Sequence, residues 1–234
     1  MALEEVLLQR LNGGQRGPTV RFWEWQERAL VLGSNQVLAN EVDLEAAAAL
    51  GFQVTRRMSG GGTMIVEPGR TISYSLYAPE TLVAGMTLVE SFAFFDSWAV
   101  ECLRELGVPA DYQPINDIVS PRGKIGGAAQ ARRRGGVLHH TTIAFELETD
   151  LVRRLIRVGR ERVSARGVRS ADKAVSPLHW FLDLTLEAVV EALINCFLNR
   201  YPSTVRPLGA EELTAARELA ARKYATPEWI DRLT

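Results

Sequence analysis

The chain has 234 residues, 47% of them hydrophobic and 24% charged, with a net charge of −1; this suits one large or two small globular domains and argues against intrinsic disorder. A near-neutral balance gives no general attraction to nucleic acid or anionic membrane, so any basic site must be local. Cys102 and Cys196 cannot build a disulfide framework, no Cys/His cluster has metal-ligand spacing, no apolar run nears the ~20 residues of a membrane span, and the opening MALEEVLLQRLNGG carries acids in place of a basic–apolar leader, which together predict a protein of the reducing cytoplasm.

In chain order, Leu3, Val6, Leu7 and Leu11 are spaced as one face of a helix that stops at Gly13-Gly14. Val20–Trp25 and Ala29–Leu32 read as short strands. Asp43 is placed to cap a helix running through Leu50, with Gly51 just past its end. Phe52–Arg57 and Thr63–Val66 read as strands on either side of Ser59-Gly60-Gly61-Gly62, and Ile72–Leu76 alternates as a half-buried strand. Leu88, Phe92, Phe95, Ala99, Leu103 and Leu106 predict a long helix ended by Gly107 and Pro109; Cys102 beside this stripe is a packing residue. Asn116–Leu147 reads as a three-strand meander with turns at Ser120–Gly123 and Arg132–Gly136. An Arg-rich stretch with helical apolar spacing (Leu151–Arg169), a strong helix over Leu186–Phe197 and a terminal helix from Ala210 to Tyr224 follow. Strands that come in hairpins predict an α+β domain whose sheet is mixed, largely antiparallel and flanked by helices.

Arg56-Arg57-Met58-Ser59-Gly60-Gly61-Gly62-Thr63 is the most informative stretch. Three glycines strip a short backbone segment of side chains and leave its N–H groups open to an anion, with two arginines at the entrance. The β-type residues that follow exclude a Walker loop and a dinucleotide fingerprint, both of which need a helix after the glycines. A mobile hairpin tip accounts for the glycines alone equally well. The second stretch runs from Asn116-Asp117 through a turn to Lys124-Ile125-Gly126-Gly127-Ala128-Ala129. Strand geometry sets the lysine across from the Asn-Asp pair, and the small residues keep a face open; the bland reading is a lysine that blunts a sheet edge. Lysine is rare here: 24 of 27 basic residues are arginine, leaving Lys124, Lys173 and Lys223. His139 and His140 point to opposite faces of a strand, so at most one faces a cleft and a structural role is expected for either. No Ser, Cys or Thr sits in a nucleophile turn.

These segments resemble, in order and over nearly the whole chain, the lipoate–protein ligase A family within the wider group of biotin and lipoate ligases and octanoyl or lipoyl transferases. The matching pieces are Trp25, Leu32-Gly33-Ser34-Asn35-Gln36, the double-arginine tri-glycine loop, Tyr74-Ser75, Asn116-Asp117-Ile118-Val119, Lys124–Gln130 and His139–Ile143. Weaker matches are Gly167-Val168-Arg169-Ser170, Val175–Leu178 and Lys223–Trp229.

The resemblance implies a biotin/lipoate ligase catalytic-domain (class II synthetase-like) fold, with one catalytic domain over residues 1–234, helices from about 180 packed on it and no accessory domain. It implies ATP-dependent ligation of lipoate or octanoate, through lipoyl-AMP, to a lysine of a lipoyl carrier, either a glycine-cleavage H-like protein or an oxo-acid dehydrogenase lipoyl domain. ATP and Mg²⁺ are the implied cofactors. It assigns Lys124 the catalytic bond to acyl carbonyl and phosphate, a task for a compact, mobile cation. Arg57, Ser59, Gly60, Gly61, Gly62, Thr63, Met64, Ile65, Asn116, Asp117, Gly127 and Ala129 would bind ATP or lipoyl-AMP, with Arg57 on the phosphates and Asp117 placing Mg²⁺. Asn35, His140 and Thr142 would line the acyl pocket. Departures from the family pattern are Val66-Glu67 in place of a His-Asp pair and Gly126 in place of a serine. Alternatives are an octanoyl or lipoyl transferase of the same fold, whose acyl-accepting cysteine near the lysine hairpin is replaced here by Ile115–Ile118, and a subunit that needs a separate accessory protein for adenylation. The seven arginines from Arg153 to Arg169 suit a solvated helix face, docking of an acidic carrier, or, in a non-catalytic binder, RNA.

Overall fold

The computed structural model describes residues 1–233. In chain order the elements are α1 (Ala2–Asn12), β1 (Thr19–Trp23), β2 (Ala29–Leu32), α2 (Leu38–Glu41), α3 (Leu44–Ala49), β3 (Gln53–Arg56), β4 (Met64–Val66), β5 (Thr71–Pro79), α4 (Leu88–Glu105), β6 (Asp111–Gln113), β7 (Asp117–Ser120), β8 (Gly123–Arg133), β9 (Gly136–Ala144), α5 (Thr149–Leu155), α6 (Leu186–Arg200), α7 (Ala210–Leu219) and α8 (Pro227–Ile230). Six strands form an antiparallel sheet in the order β1-β5-β9-β8-β7-β6, and a second sheet has the order β3-β2-β4. The β8–β9 hairpin turns through Arg134 (φ 52°) and Gly135 (φ 87°), two consecutive left-handed residues as a tight hairpin turn requires.

Sequence chemistry accounts for the layers. α4 opens on a capping box in which Thr87 Oγ1 accepts from the Glu90 N–H and Glu90 Oε2 accepts from the Thr87 N–H. Its apolar stripe and that of α6 cover one face of the large sheet, burying Trp98, Leu103 and Leu193 against Ile72, Tyr74, Ile125 and Ile143. On the other face α1 packs Leu7 and Leu8 onto Met58, Tyr77, Ala131 and Leu138. α3 and α5 close the small sheet through Leu30, Leu32, Phe52, Leu151 and Leu155.

The predicted hairpins, the long helix and the α+β class agree with this architecture, with five differences. β2 and β3 pair in parallel, with α3 in the crossover. A short β6 precedes the meander. The Arg-rich helix covers only Thr149–Leu155; Gly159 and Gly167 take positive φ (75° and 78°), and residues 157–177 cross the protein as a strap whose main chain bonds to other segments. The terminal helix gives way at Ala220–Tyr224 to a wider turn. Cys102, expected as a packing residue on the long helix, is joined to Cys196 between α4 and α6 with Cα atoms 6.1 Å apart, one staple in the core. No helix among the described residues is long and apolar enough to cross a membrane.

Candidate active site

The tri-glycine loop leaves β3 and lies over the face of the large sheet that carries α1. Ser34 N–H donates to Ser59 O (2.7 Å), and a Cβ on Gly33 would come within 2.0 Å of Gly61 O; Gly61 has φ +91°. Backbone therefore meets backbone where Gly33 passes the loop, and only glycine fits. The two arginines expected at the loop entrance are buried beneath it. Arg56 donates to Gly33 O (2.8 Å), Gln36 O (2.7 Å) and Ile230 O. Arg57 donates to Val31 O (2.9 Å), Gly60 O (2.6 Å), Gly62 O (2.8 Å) and Ser59 Oγ, and burial lowers its pKa to about 10. Arg57 holds the Gly60 and Gly62 carbonyls inward, and among the described residues the N–H groups of Gly60, Gly61 and Gly62 have no acceptor.

Next to the loop, the pleat sets out a lane of small side chains. Asp117, Gly127 and Thr142 are cross-strand partners on β7, β8 and β9, and Ala129 faces His140 one pair along; cross-strand partners share a face. Gly126 and Ala128, expected to open the same face, belong to the opposite one: a Cβ on Gly126 would meet Thr142 O at 2.8 Å. The register shift in the β7–β8 pairing between Ile118 and Val119 brings the Lys124 side chain onto the lane. A Cβ on Gly127 would be 2.5 Å from Lys124 Nζ, so the ammonium occupies the space that this glycine leaves. β8 lies inside the sheet, so Lys124 does not blunt an edge.

Lys124 Nζ is 2.8 Å from Asp117 Oδ1, and Lys173 Nζ contacts Asp117 Oδ2. Asp117 is 2% exposed and the Lys124 side chain 31%. Burial lowers the Lys124 pKa, with Asp117 working against that shift. For Asp117, burial pushes the carboxyl up, but the two ammonium groups outweigh it and hold the pKa below the ordinary value. Asn116 closes the hairpin: its Nδ2 donates to Ala128 O (2.5 Å) and its carbonyl accepts from Ala128 N–H (2.9 Å). Mg²⁺ does not fit Asp117 as found. Both carboxylate oxygens face ammonium groups, which repel a dication, and the described residues contain no group of three or more His, Cys, Asp or Glu side chains that could hold a metal.

His139 and His140 do separate to opposite faces. His139 Nε2 meets Asp96 Oδ1 (2.8 Å) on the α4 side and its ring stacks on Phe95. His140 lies under the loop in a buried series: Ser59 Oγ to His140 Nε2 (2.6 Å), His140 Nδ1 to Glu4 Oε1 (2.9 Å), and Ser75 Oγ donating to the same Glu4 oxygen (2.7 Å). Glu4 is fully buried. Burial pushes its carboxyl up, but His140, the N-terminal ammonium and Arg21 together outweigh it and hold the carboxyl well below the carboxylate range. Glu4 was legible only as an acid three residues before Leu7, on the apolar face of α1.

The strap joins loop to hairpin. Ser170 Oγ accepts from the Thr63 N–H (2.9 Å) and donates to Glu41 Oε2 (2.5 Å); Gln36 ties Ser170, Thr63 Oγ1 and the Gly33 N–H together. Ala174 O accepts from the Lys124 N–H (2.8 Å) and Lys124 O accepts from the Ser176 N–H (2.7 Å). Sequence reasoning missed Ser170 and Lys173 as site residues; the weak Gly167–Ser170 match and the scarcity of lysine were the available signals. Asn35 does not share a cavity lining with His140 and Thr142. With Gly60, Leu8, Met58 and Ala131 it lines a cavity of about 750 Å³ between α1, the loop and β8. Met64 and Ile65 are on β4, an edge of the small sheet, with one side of their main chain unpaired by strands. Both cysteines sit in the α4–α6 layer on the other side of the large sheet.

Comparison with known proteins follows this geometry. The model of the lipoyl protein ligase A/B catalytic domain matches residues 1–198. A relative named octanoyltransferase LipM, from Geobacillus kaustophilus, is 30% identical over 98% of this chain and 92% of that protein. Among solved structures, a bi-partite lipoate protein ligase studied with its E2 lipoyl domain, from Thermoplasma acidophilum, superposes with a TM-score of 0.81 at 26% identity, covering 100% of this chain and 91% of that one. A lipoate-protein ligase A bound with ATP gives 0.80 at 26% identity, covering 99% and 93%. With the family model spanning residues 1–198 and a 30%-identical relative covering 98% of the chain, the chain belongs to the lipoyl protein ligase A/B catalytic-domain family.

Proposed function

We propose that the protein activates lipoate or octanoate with ATP and transfers the acyl group to a lysine of a lipoyl carrier domain. The observation that carries this reading is Lys124: a compact ammonium on a buried aspartate, over a glycine that leaves it room, beside a loop in which the Gly60, Gly61 and Gly62 N–H groups have no acceptor among the described residues. Bound ATP supplies an electrophilic α-phosphorus and pyrophosphate as leaving group. An acyl carboxylate oxygen bonds to that phosphorus as the bond to pyrophosphate breaks; the carrier amine then bonds to the acyl carbon, AMP leaves and the amine sheds a proton to solvent. Negative charge builds in both steps, and fixed donors with a mobile cation are what it needs. Lys124 follows the shifting oxygen. Gly60, Gly61 and Gly62 hold the phosphate from main chain, with the Thr63 N–H committed to Ser170, while the free edge at Met64 and Ile65 lies along the nucleotide. Arg57 acts by shaping the loop. Ser59, Gly127, Ala129, His140 and Thr142 border the path of the acyl chain, whose tail points to the cavity at Asn35. Residues 1–234 act as one catalytic domain, with adenylation assisted, where needed, by a separate polypeptide of the kind a bi-partite system implies.

A second reading, octanoyl transfer without ATP, is favoured by the name of the Geobacillus relative. Against it stands the distance of both cysteines from the lane. Incubation with lipoate, ATP, Mg²⁺ and an unmodified lipoyl domain is expected to release AMP and to add the acyl mass to one carrier lysine. Absence of both products with an accessory polypeptide supplied, together with ATP-independent transfer from an octanoyl carrier protein, would establish the second reading.

A further inference from the structure

Three lysines stand among 24 arginines in this chain, and two of them meet on one buried carboxylate. Asp117 presents Oδ1 to Lys124 and Oδ2 to Lys173. The two lysines differ in what holds them. Lys124 extends from β8 over Gly127, where only a hydrogen atom limits its movement. Lys173 belongs to the strap, one residue before Ala174, whose carbonyl accepts from the Lys124 N–H; Ser176 and Ser170 fix the strap on either side, at the hairpin and at the glycine loop.

A buried carboxylate with a single ammonium partner resists losing it, because departure strands an uncompensated charge. Lys124 must nonetheless leave Asp117 to reach an acyl phosphate. We propose that Lys173 is a positioning residue that keeps Asp117 neutralised while Lys124 moves to the substrate. It does not touch the reacting atoms. The cluster carries a net charge of +1 at rest, so the anionic substrate takes Lys124 and leaves a neutral Asp117–Lys173 pair behind. This rests on the assignment of Lys124 to acyl activation.

The test is a double-mutant cycle on Lys173→Met and Asp117→Asn, read as kcat and KM for adenylate formation, with a second readout that needs no activity: labelling of the Lys124 amine by trace acetic anhydride, located by mass spectrometry. Lys173→Met should lower kcat at least tenfold with KM changed less than twofold, and Lys173→Arg should return it to within threefold of the parent. In the Asp117→Asn background, adding Lys173→Met should cost less than twofold. Labelling of Lys124 should drop severalfold in Lys173→Met, because the amine is then held in a closed pair. An undiminished penalty in the Asp117→Asn background, an effect confined to KM, or unchanged labelling would overturn the proposal. If the parent protein forms no adenylate, the proposed function fails on that result, and labelling of Lys124 in Lys173→Met and Lys173→Arg still decides the role of Lys173. Lys173→Gln serves the same comparison if the methionine variant does not fold.

Discussion

Two aspartates are buried on opposite sides of one sheet, and they are neutralised in opposite ways. On the α4 side, Asp96 Oδ1 accepts from Tyr74 Oη (2.6 Å) and Thr141 Oγ1 (2.7 Å) and meets His139 Nε2 (2.8 Å), all within packed side chains. On the loop side, Asp117 is held by two lysines whose side chains are 31% and 43% exposed, above a glycine. The first arrangement has short-range donors fixed by χ angles that cannot move without unpacking a core. The second has flexible stems with one end in solvent, and ammonium groups that can be exchanged. A buried charge specifies structure where its partners are rigid and supports chemistry where they can leave.

That contrast breaks or sharpens by substitution on either face. The largest effect is expected from removing the staple. Cys102→Ser with Cys196→Ser should cost up to about 4–5 kcal/mol of stability, as for a closed loop of this length, measured by denaturant unfolding, and should leave acyl transfer per folded molecule unchanged. Loss of transfer with stability intact would move the chemistry to the thiol side of the sheet. Lys124→Met should do the reverse, lowering adenylate formation about 10²–10³-fold with little change in unfolding midpoint. Asp96→Ala should destabilise by about 3 kcal/mol by stranding three buried donors, with kcat retained. Gly127→Ala places a methyl where the Lys124 ammonium now lies and should slow the reaction on the order of tenfold without weakening the fold. The smallest effect is the pH response. Burial lowers the Lys124 pKa from 10.5, so its charge is lost earlier than that of an exposed lysine as pH rises, and the alkaline limb of kcat should have its midpoint below 10.5. Through that window the unfolded chain holds the proton longer, so Lys124 makes stability rise with pH; a limb at or above 10.5 would remove Lys124 from the reaction.

What the sequence discloses and hides follows from the range of the interaction. Period-two and helical spacing are local, and the strands at Ile72–Leu76 and Asn116–Leu147 and the helix from Leu88 come from them directly. The nearness of Lys124 to Asp117 is also short-range, because one hairpin carries both. Its register sets Asp117 against Gly127 and Lys124 against Val119, however, and the shift between Ile118 and Val119 that joins the two side chains has no local pattern. The parallel pairing of β2 with β3 needs a crossover that no local pattern announces. The Arg-rich stretch has apolar spacing at Leu151, Leu155 and Ile156, but Gly159, Gly167 and hydrogen bonds donated by its main-chain N–H groups to Asn40 Oδ1 and Asn35 O outweigh the helical propensity of the rest. The charges at Arg56 and Arg57 look from sequence like an open anion site; burial beneath the loop depends on carbonyls of Val31, Gly33 and Gln36, supplied by another strand and turn. Glu4 reaches His140 across 136 positions, and Lys173 reaches Asp117 across 56. Neither pairing has a sequence-local signature.

The central claim is that the glycine loop and the Lys124 ammonium converge on one acyl phosphate. A crystal structure with a non-hydrolysable lipoyl-AMP analogue tests it most directly. The account predicts the analogue in the lane over Gly127 and Ala129, its phosphate against main-chain N–H groups of residues 60–62, and Lys124 Nζ moved from Asp117 onto its oxygens. An analogue seated elsewhere, with Lys124 still paired to Asp117, would contradict it.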